Sequence, residues 1–141
     1  MKAEGGEDKS DPERKAAASV IAKEAVGVDP SILSLLVLDS RGQVLAVERS
    51  NRLPESHQIG KDITLKLGVL AEVIWGAANS ATSPFLGPMD FMIGGFKNER
   101  ILFINLQGRD MLLALRMTRS SNSEDVCNKI LKTLDGNIRE T

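Results

Sequence analysis

From about Gln58 to Asn79 the chain runs without a proline and is rich in Leu, Val, Ile and Ala, which predicts one long helix. At about 100° per residue, Ile63, Leu67, Leu70, Ile74 and Ala77 fall on one stripe of that helix. Leu65, Val69, Val73 and Gly76 form a second stripe, centred well over a quarter-turn from the first. A sheet covers one stripe only, so the second needs a cover of its own. Three covers are available: a second copy of the chain, the chain's own terminal helix, or a different protein. Lys66 and Glu72 flank the second stripe and would be rim residues of such a contact. Trp75, the single tryptophan, falls about 120° from the first stripe and outside both. It reads either as core packing at the helix margin or as an aromatic anchor for a partner.

The elements on either side define the layout. Residues 1–11 hold Gly5-Gly6, alternating charges and almost no apolar side chains, and are expected to form a disordered polar tail. The folded domain is expected over 12–141. Pro12 suits a first helical turn, and Ala17, Val20, Ile21 and Ala25 recur at helical spacing up to Gly27. Ile32 to Leu38 is a nearly continuous apolar run of strand length. Asp39-Ser40-Arg41-Gly42 then supplies turn chemistry, and Gln43 to Arg49 returns as the second strand of a hairpin. Ser80 to Pro88, after the long helix, reads as a turn-rich connection. Three strands follow, about Met89–Phe96, Ile101–Leu106 and Met111–Met117, joined by links short enough to make antiparallel neighbours. Ser121-Asn122-Ser123-Glu124 fits a capping box, and Val126, Cys127, Ile130, Leu131 and Leu134 mark the apolar side of a last helix ending near Gly136. The fold class is α+β, in the order α-β-β-α-β-β-β-α.

Charge and cysteine content narrow the function classes. A net charge of -1, with 26% charged residues, gives no electrostatic pull toward nucleic acid or an anionic membrane. No apolar run approaches the roughly 20 residues of a membrane helix, and the polar N-terminus lacks the apolar core of a secretory signal. With one cysteine no internal disulfide forms, which favours a cytoplasmic location. His57 and Cys127 are far apart, whereas a zinc site wants three or four such ligands. A Ser-His-acid site at Ser56-His57 lacks the geometry, since chain neighbours rarely face each other. Gly94-Gly95-Phe96-Lys97 has the wrong spacing for a phosphate loop and leads into a hairpin, while Gly60-Lys61 is followed by Asp62. Neither an enzyme nor a resident metal or cofactor is expected.

With the hairpin LLVLDSRGQVLA, the two-sided helix, the three-strand meander and the closing helix in place, residues 15 to 135 resemble the roadblock/dynein light chain family. The resemblance implies a five-stranded antiparallel sheet in the order 2-1-5-4-3, with the long helix on one face and the terminal helices on the other. It implies a homodimer formed by pairing third strands, with the long helices packed together. It also implies a non-enzymatic scaffold or regulator, in signalling or motor complexes, whose partners are itself and a Ras-like small GTPase. A small-molecule sensor of the PAS, GAF or profilin-like sort shares parts of the order. It would need inward polar groups, for which Ser34 and Asn105 are the candidates.

Adjacent glycines in the third strand, FMIGGFKNERILFIN, raise a separate question. Phe91, Ile93 and Gly95 share one face, Met92, Gly94 and Phe96 the other. A bulge before the turn is one explanation. The resemblance gives another: as an outermost strand it would pair with its own copy, and Ile93, Gly94, Gly95 and Phe96 would join Leu65, Val69, Val73, Gly76 and Trp75 at an interface.

Overall fold

Ile32 to Leu38 reads as a nearly continuous apolar run because both of its faces are covered. In the computed structural model it makes up strand β1 together with Asp39, near the middle of a five-stranded sheet and paired on both sides. The structure describes residues 2–106 and 108–140, and the side chains in those ranges except at 2–11, 57 and 136–140. The elements are α1 (Lys2–Val26), β1 (Ile32–Asp39), β2 (Val44–Arg49), α2 (Lys61–Leu86), β3 (Phe91–Gly95), β4 (Glu99–Leu106), β5 (Met111–Thr118) and α3 (Ser123–Glu140). Every pairing in the sheet is antiparallel, in the order β2-β1-β5-β4-β3.

The β1–β2 turn forms because Asp39 organises it. Its buried carboxylate accepts the N–H groups of Arg41 and Gln43, each at 2.9 Å, and Gly42 takes φ +82° where a side chain would be strained. One face of the sheet presents Leu35, Val37, Leu102, Ile104, Leu113 and Leu115 to α1 and α3. From α1 the buried residues are Ala18, Ile21, Ala22 and Ala25. That stripe is turned from the expected one: Val20 is exposed, because alanines rather than valine let this helix lie close to β1 and β2. α3 buries Val126, Cys127, Ile130 and Leu134, as its pattern predicts. An ion pair at 2.9 Å between Lys129 of α3 and Asp29 ties this layer to the loop that enters β1.

Several boundaries differ from expectation. Helix α2 continues through Ser80–Ser83 to Leu86 with Pro84 inside it. Only the bond to the Ser80 carbonyl is forfeited so near the end, and Gly87, at φ +85°, closes the helix with its N–H on Ser83 O at 2.9 Å. At α3 the cap is Asn122, whose Oδ1 accepts the Asp125 N–H at 3.0 Å, while Ser121 of the expected capping box is buried. The helix also runs beyond Gly136. The backbone of α1 is helical from Lys2, and the polar tail expected over 1–11 falls on residues whose side chains lie outside the described set. Finally, β3 pairs with β4 in unbroken register from Phe91 to Gly95, so the expected bulge at the glycines is absent. Register shifts occur instead in β1, between Val37 and Leu38 and between Ile32 and Ser34.

Candidate interaction surface

Helix α2 meets the sheet along a seam of small residues. Thr64, Gly68, Ala71 and Trp75 are its buried positions, at the helical spacing i, i+4, i+7, i+11. A Cβ added at Gly68 would stand 2.9 Å from Val44 Cγ2, 3.0 Å from Gly42 O and 3.1 Å from Leu38 Cδ2. A Cβ at Gly42 would stand 3.0 Å from Val69 Cα. The β1–β2 turn and α2 are therefore in backbone contact, and glycine on both sides makes that possible. Further along, Trp75 is only 6% exposed and packs with Leu38, Ala71, Leu112 and Ala114.

This seam runs between the two apolar stripes of the helix, and both are left outside. Ile63, Leu67, Leu70 and Ile74 are exposed on one side, Leu65, Val69 and Val73 on the other. Leu67, Leu70 and Ile74 overhang an apolar cleft of about 320 Å³ between α2 and the sheet. Leu36, Val47, Met92, Phe103 and Ala114 form much of that floor. Ile93 and Phe96 stand at its open end, where β3 is the last strand of the sheet.

The cleft has few polar groups. Arg116 is held by Glu99 in a two-pronged pair, Nε and Nη2 donating at 2.7 and 2.6 Å, and both side chains are largely covered. Arg49 donates to Ile59 O at 3.5 Å, and Ser34 and Thr64 complete the polar lining. On the opposite side of α2, burial first, then the nearby Asp39 and Asp110, raise the carboxyl of Glu72 above its ordinary value. None of this brings a nucleophile to a base. Burial, followed by the charges of Asp90 and Glu124, pushes the Cys127 thiol up to about 11, so it stays protonated near neutral pH. Among the described residues no cluster of His, Cys, Asp and Glu could hold a metal ion, and no helix is long and apolar enough to cross a membrane. The His57 side chain lies outside the described residues.

No protein-family model and no curated protein matches the chain. Solved structures do. A Roadblock/LC7 domain from Streptomyces avermitilis aligns with a TM-score of 0.65 at 14% identity, over 86% of this chain and 97% of that one. MglB in a tetrameric arrangement aligns at 0.65 with 18% identity, over 82% and 81%. The gliding protein MglB from Thermus thermophilus aligns at 0.61 with 13% identity, over 85% and 87%. The chain has the roadblock fold. At such identities the likeness carries the architecture alone.

The roadblock fold, with its sheet order and the placement of α2, is as the sequence resemblance implied. The residues named for an interface are not all on one surface. Ile93, Gly94 and Phe96 border the cleft, with the exposed Gly95 beside them at the sheet edge, whereas Leu65, Val69 and Val73 face away across α2. Gly76 is half-buried with open space where a Cβ would stand. Trp75 is a core residue, so it offers no surface anchor. Sequence reasoning assigned Leu67, Leu70 and Ile74 to sheet contact and took Phe85 and Leu86, both above 80% exposed, for a loop. The overlooked signal was the small-residue spacing Thr64, Gly68, Ala71, which marks close approach better than the larger apolar residues do.

Proposed function

We propose that this chain is a cytoplasmic, non-enzymatic interaction module that self-associates and binds a Ras-like small GTPase, as a regulator or as a scaffold. The observation that carries the reading is the surplus apolar surface of α2: two exposed stripes on a helix whose sheet contact is complete without them. Exposed apolar area on this scale marks a site of association. In this reading Leu67, Leu70 and Ile74, continuous with the β3 edge across the cleft, form the seam between two copies. Leu65, Val69 and Val73 remain on the outer side of the helix for the second partner. The likeness to a Roadblock/LC7 domain and to MglB, one of them in a tetrameric arrangement, supports self-association.

Light scattering at micromolar concentration tests the first half, and a strictly monomeric mass overturns it. For the second half, Ras-like GTPases of the native host are titrated in GDP- and GTP-analogue-bound forms. Absence of both binding and any change in GTP hydrolysis, with the dimer intact, removes the GTPase. The cleft itself favours one other reading, a site for an apolar small molecule, since its volume lies at the low end of ligand pockets, about 300–1,000 Å³. Of the two polar candidates only Ser34 lines it. A small molecule retained in native mass spectrometry would decide for that reading.

A further inference from the structure

The cleft beneath Leu67, Leu70 and Ile74 is apolar along its length and cationic along one row, and the strand register shows why. Ser34 of β1 stands across from Arg49 of β2 on one side and from Arg116 of β5 on the other, and all three line the cleft. Neighbouring strands lie about 4.8 Å apart, so the two arginines start about 10 Å from each other with only a serine between them. The adjacent row, Val47, Leu36, Ala114, Phe103 and Met92, is wholly apolar. Among the described lining residues there is no Asp or Glu. The two arginines are not equivalent. Glu99 takes Nε and Nη2 of Arg116 at 2.7 and 2.6 Å, which still leaves that guanidinium donors to spare. Arg49 is exposed, reaches only the Ile59 carbonyl at 3.5 Å, and has no carboxylate partner among the described residues. With Glu99 set against Arg116, one positive charge beside the cleft is left unbalanced.

We propose that the cleft binds a single-chain carboxylate amphiphile, a fatty acid of medium length, with its chain under Leu67, Leu70 and Ile74 and its carboxylate over Ser34 between Arg49 and Arg116. The inference rests on the small-molecule reading of the cleft given above and adds the class of ligand. Volume sets the chain. A methylene fills about as much space as a water molecule does in the liquid, roughly 30 Å³, so a cleft of about 320 Å³ takes one chain of roughly ten carbons and not two such chains. Charge selects the head. One unbalanced positive charge matches a monoanion, whereas a phosphate monoester carries about −1.5 to −2 near neutral pH and would bring uncompensated negative charge against an apolar wall. Geometry agrees, because a guanidinium holds a carboxylate through two parallel N–H···O bonds, and Arg49 gives up only a long bond to make them. The Ser34 hydroxyl lies between the two arginines as a further donor. An alkylammonium would meet like charge at the same place.

Calorimetric titration of the full chain tests this, with every probe kept below its micelle concentration: hexanoate, octanoate and decanoate for the chain, and decanol, decylamine and decyl phosphate for the head. Decanoate is expected to bind once per chain, with affinity rising about fourfold for each added methylene along the series. Decanol and decyl phosphate should bind more weakly, and decylamine most weakly of all. Arg49→Gln, at the exposed end of an edge strand, should weaken decanoate about tenfold and leave decanol unchanged. A loss confined to the anion reports the headgroup, since damage to the fold would weaken both probes. If decanol binds as tightly as decanoate, or if the variant weakens the two alike, the cleft takes apolar molecules without reading a head; the inference then falls and the small-molecule reading stands. Tighter binding of decyl phosphate than of decanoate overturns the carboxylate. Uptake that does not saturate at one per chain is partition onto the exposed stripes of α2 and refutes the site. If no probe binds at all, the small-molecule reading falls with the inference.

Discussion

Gly68→Ala and Gly76→Ala place the same methyl group on the same helix and are expected to change stability in opposite directions. Alanine is favoured over glycine inside a helix by about 0.5–1 kcal/mol, and that gain is common to both. At Gly76 nothing lies within 4 Å of the new Cβ, so the gain stands. At Gly68 the Cβ meets Val44 Cγ2 at 2.9 Å and the Gly42 carbonyl oxygen at 3.0 Å. The first belongs to a stiff β-branched side chain and the second to a turn fixed by Asp39, so neither yields easily. Overpacking of this sort costs about 1–3 kcal/mol, which set against that gain makes Gly68→Ala a net loss of up to about 2.5 kcal/mol. Because propensity cancels, the gap between the variants measures the close approach alone. Urea unfolding at several protein concentrations reads it, so that association can be separated from folding. Equal stabilisation by both substitutions would show that α2 does not touch the β1–β2 turn.

Trp75→Ala removes the largest side chain of the α2 core and should cost about 3–5 kcal/mol in thermal unfolding, whereas a surface anchor would cost far less. Leu70→Glu, beside the cleft, should abolish self-association in sedimentation or light scattering, while Val69→Glu on the opposite stripe should leave the dimer mass unchanged and weaken only the second partner. Burial works to raise the Asp29 carboxyl, but the Lys129 ammonium and the hydrogen bonds from Lys129 and Ser31 outweigh it and bring it from 3.8 to about 2. The stabilising contribution is thus present above about pH 4 and lost as pH falls toward 2, so Asp29→Asn should be less stable than wild type near neutrality and converge on it in acid-unfolding profiles.

Element order, strand count and the hairpin turns were legible in the sequence because each rests on a local signal. The Asp39-to-Gly42 turn is one: an acceptor side chain at the start and a residue free to take positive φ at the end specify it without reference to the rest of the fold. The helix ends were less legible for the same reason. Pro84 and Ser80 look like breakers locally, yet the packing of Trp75 and the bond from Met89 N–H to Asn79 Oδ1 at 2.8 Å hold the last turns in place. Likewise Val20 outranks Ala18 and Ala22 as a buried residue on hydrophobicity alone. How near a helix can come to a sheet is a tertiary matter, and there the alanines win.

The same distinction explains the two stripes of α2. Hydrophobicity assigns the larger residues to the core, and on that basis one stripe had to face the sheet. The structure gives that place to threonine, glycine and alanine, with one tryptophan at the end, because a seam of small residues lets α2 and the β1–β2 turn come into backbone contact. The large apolar residues on both flanks are then surplus to the fold of a single chain, and their retention on a helix of this length has a reason only if something else covers them. On the cleft side that cover must also satisfy the adjoining edge, where β3 is the last strand and Phe91, Ile93 and Gly95, alternating with the residues bonded to β4, turn their N–H and C=O groups outward. A helix laid in the cleft does nothing for those groups, and a strand added to the edge leaves Leu67, Leu70 and Ile74 bare. The second copy proposed above brings a helix and a strand together in one body, and so would meet both demands at once.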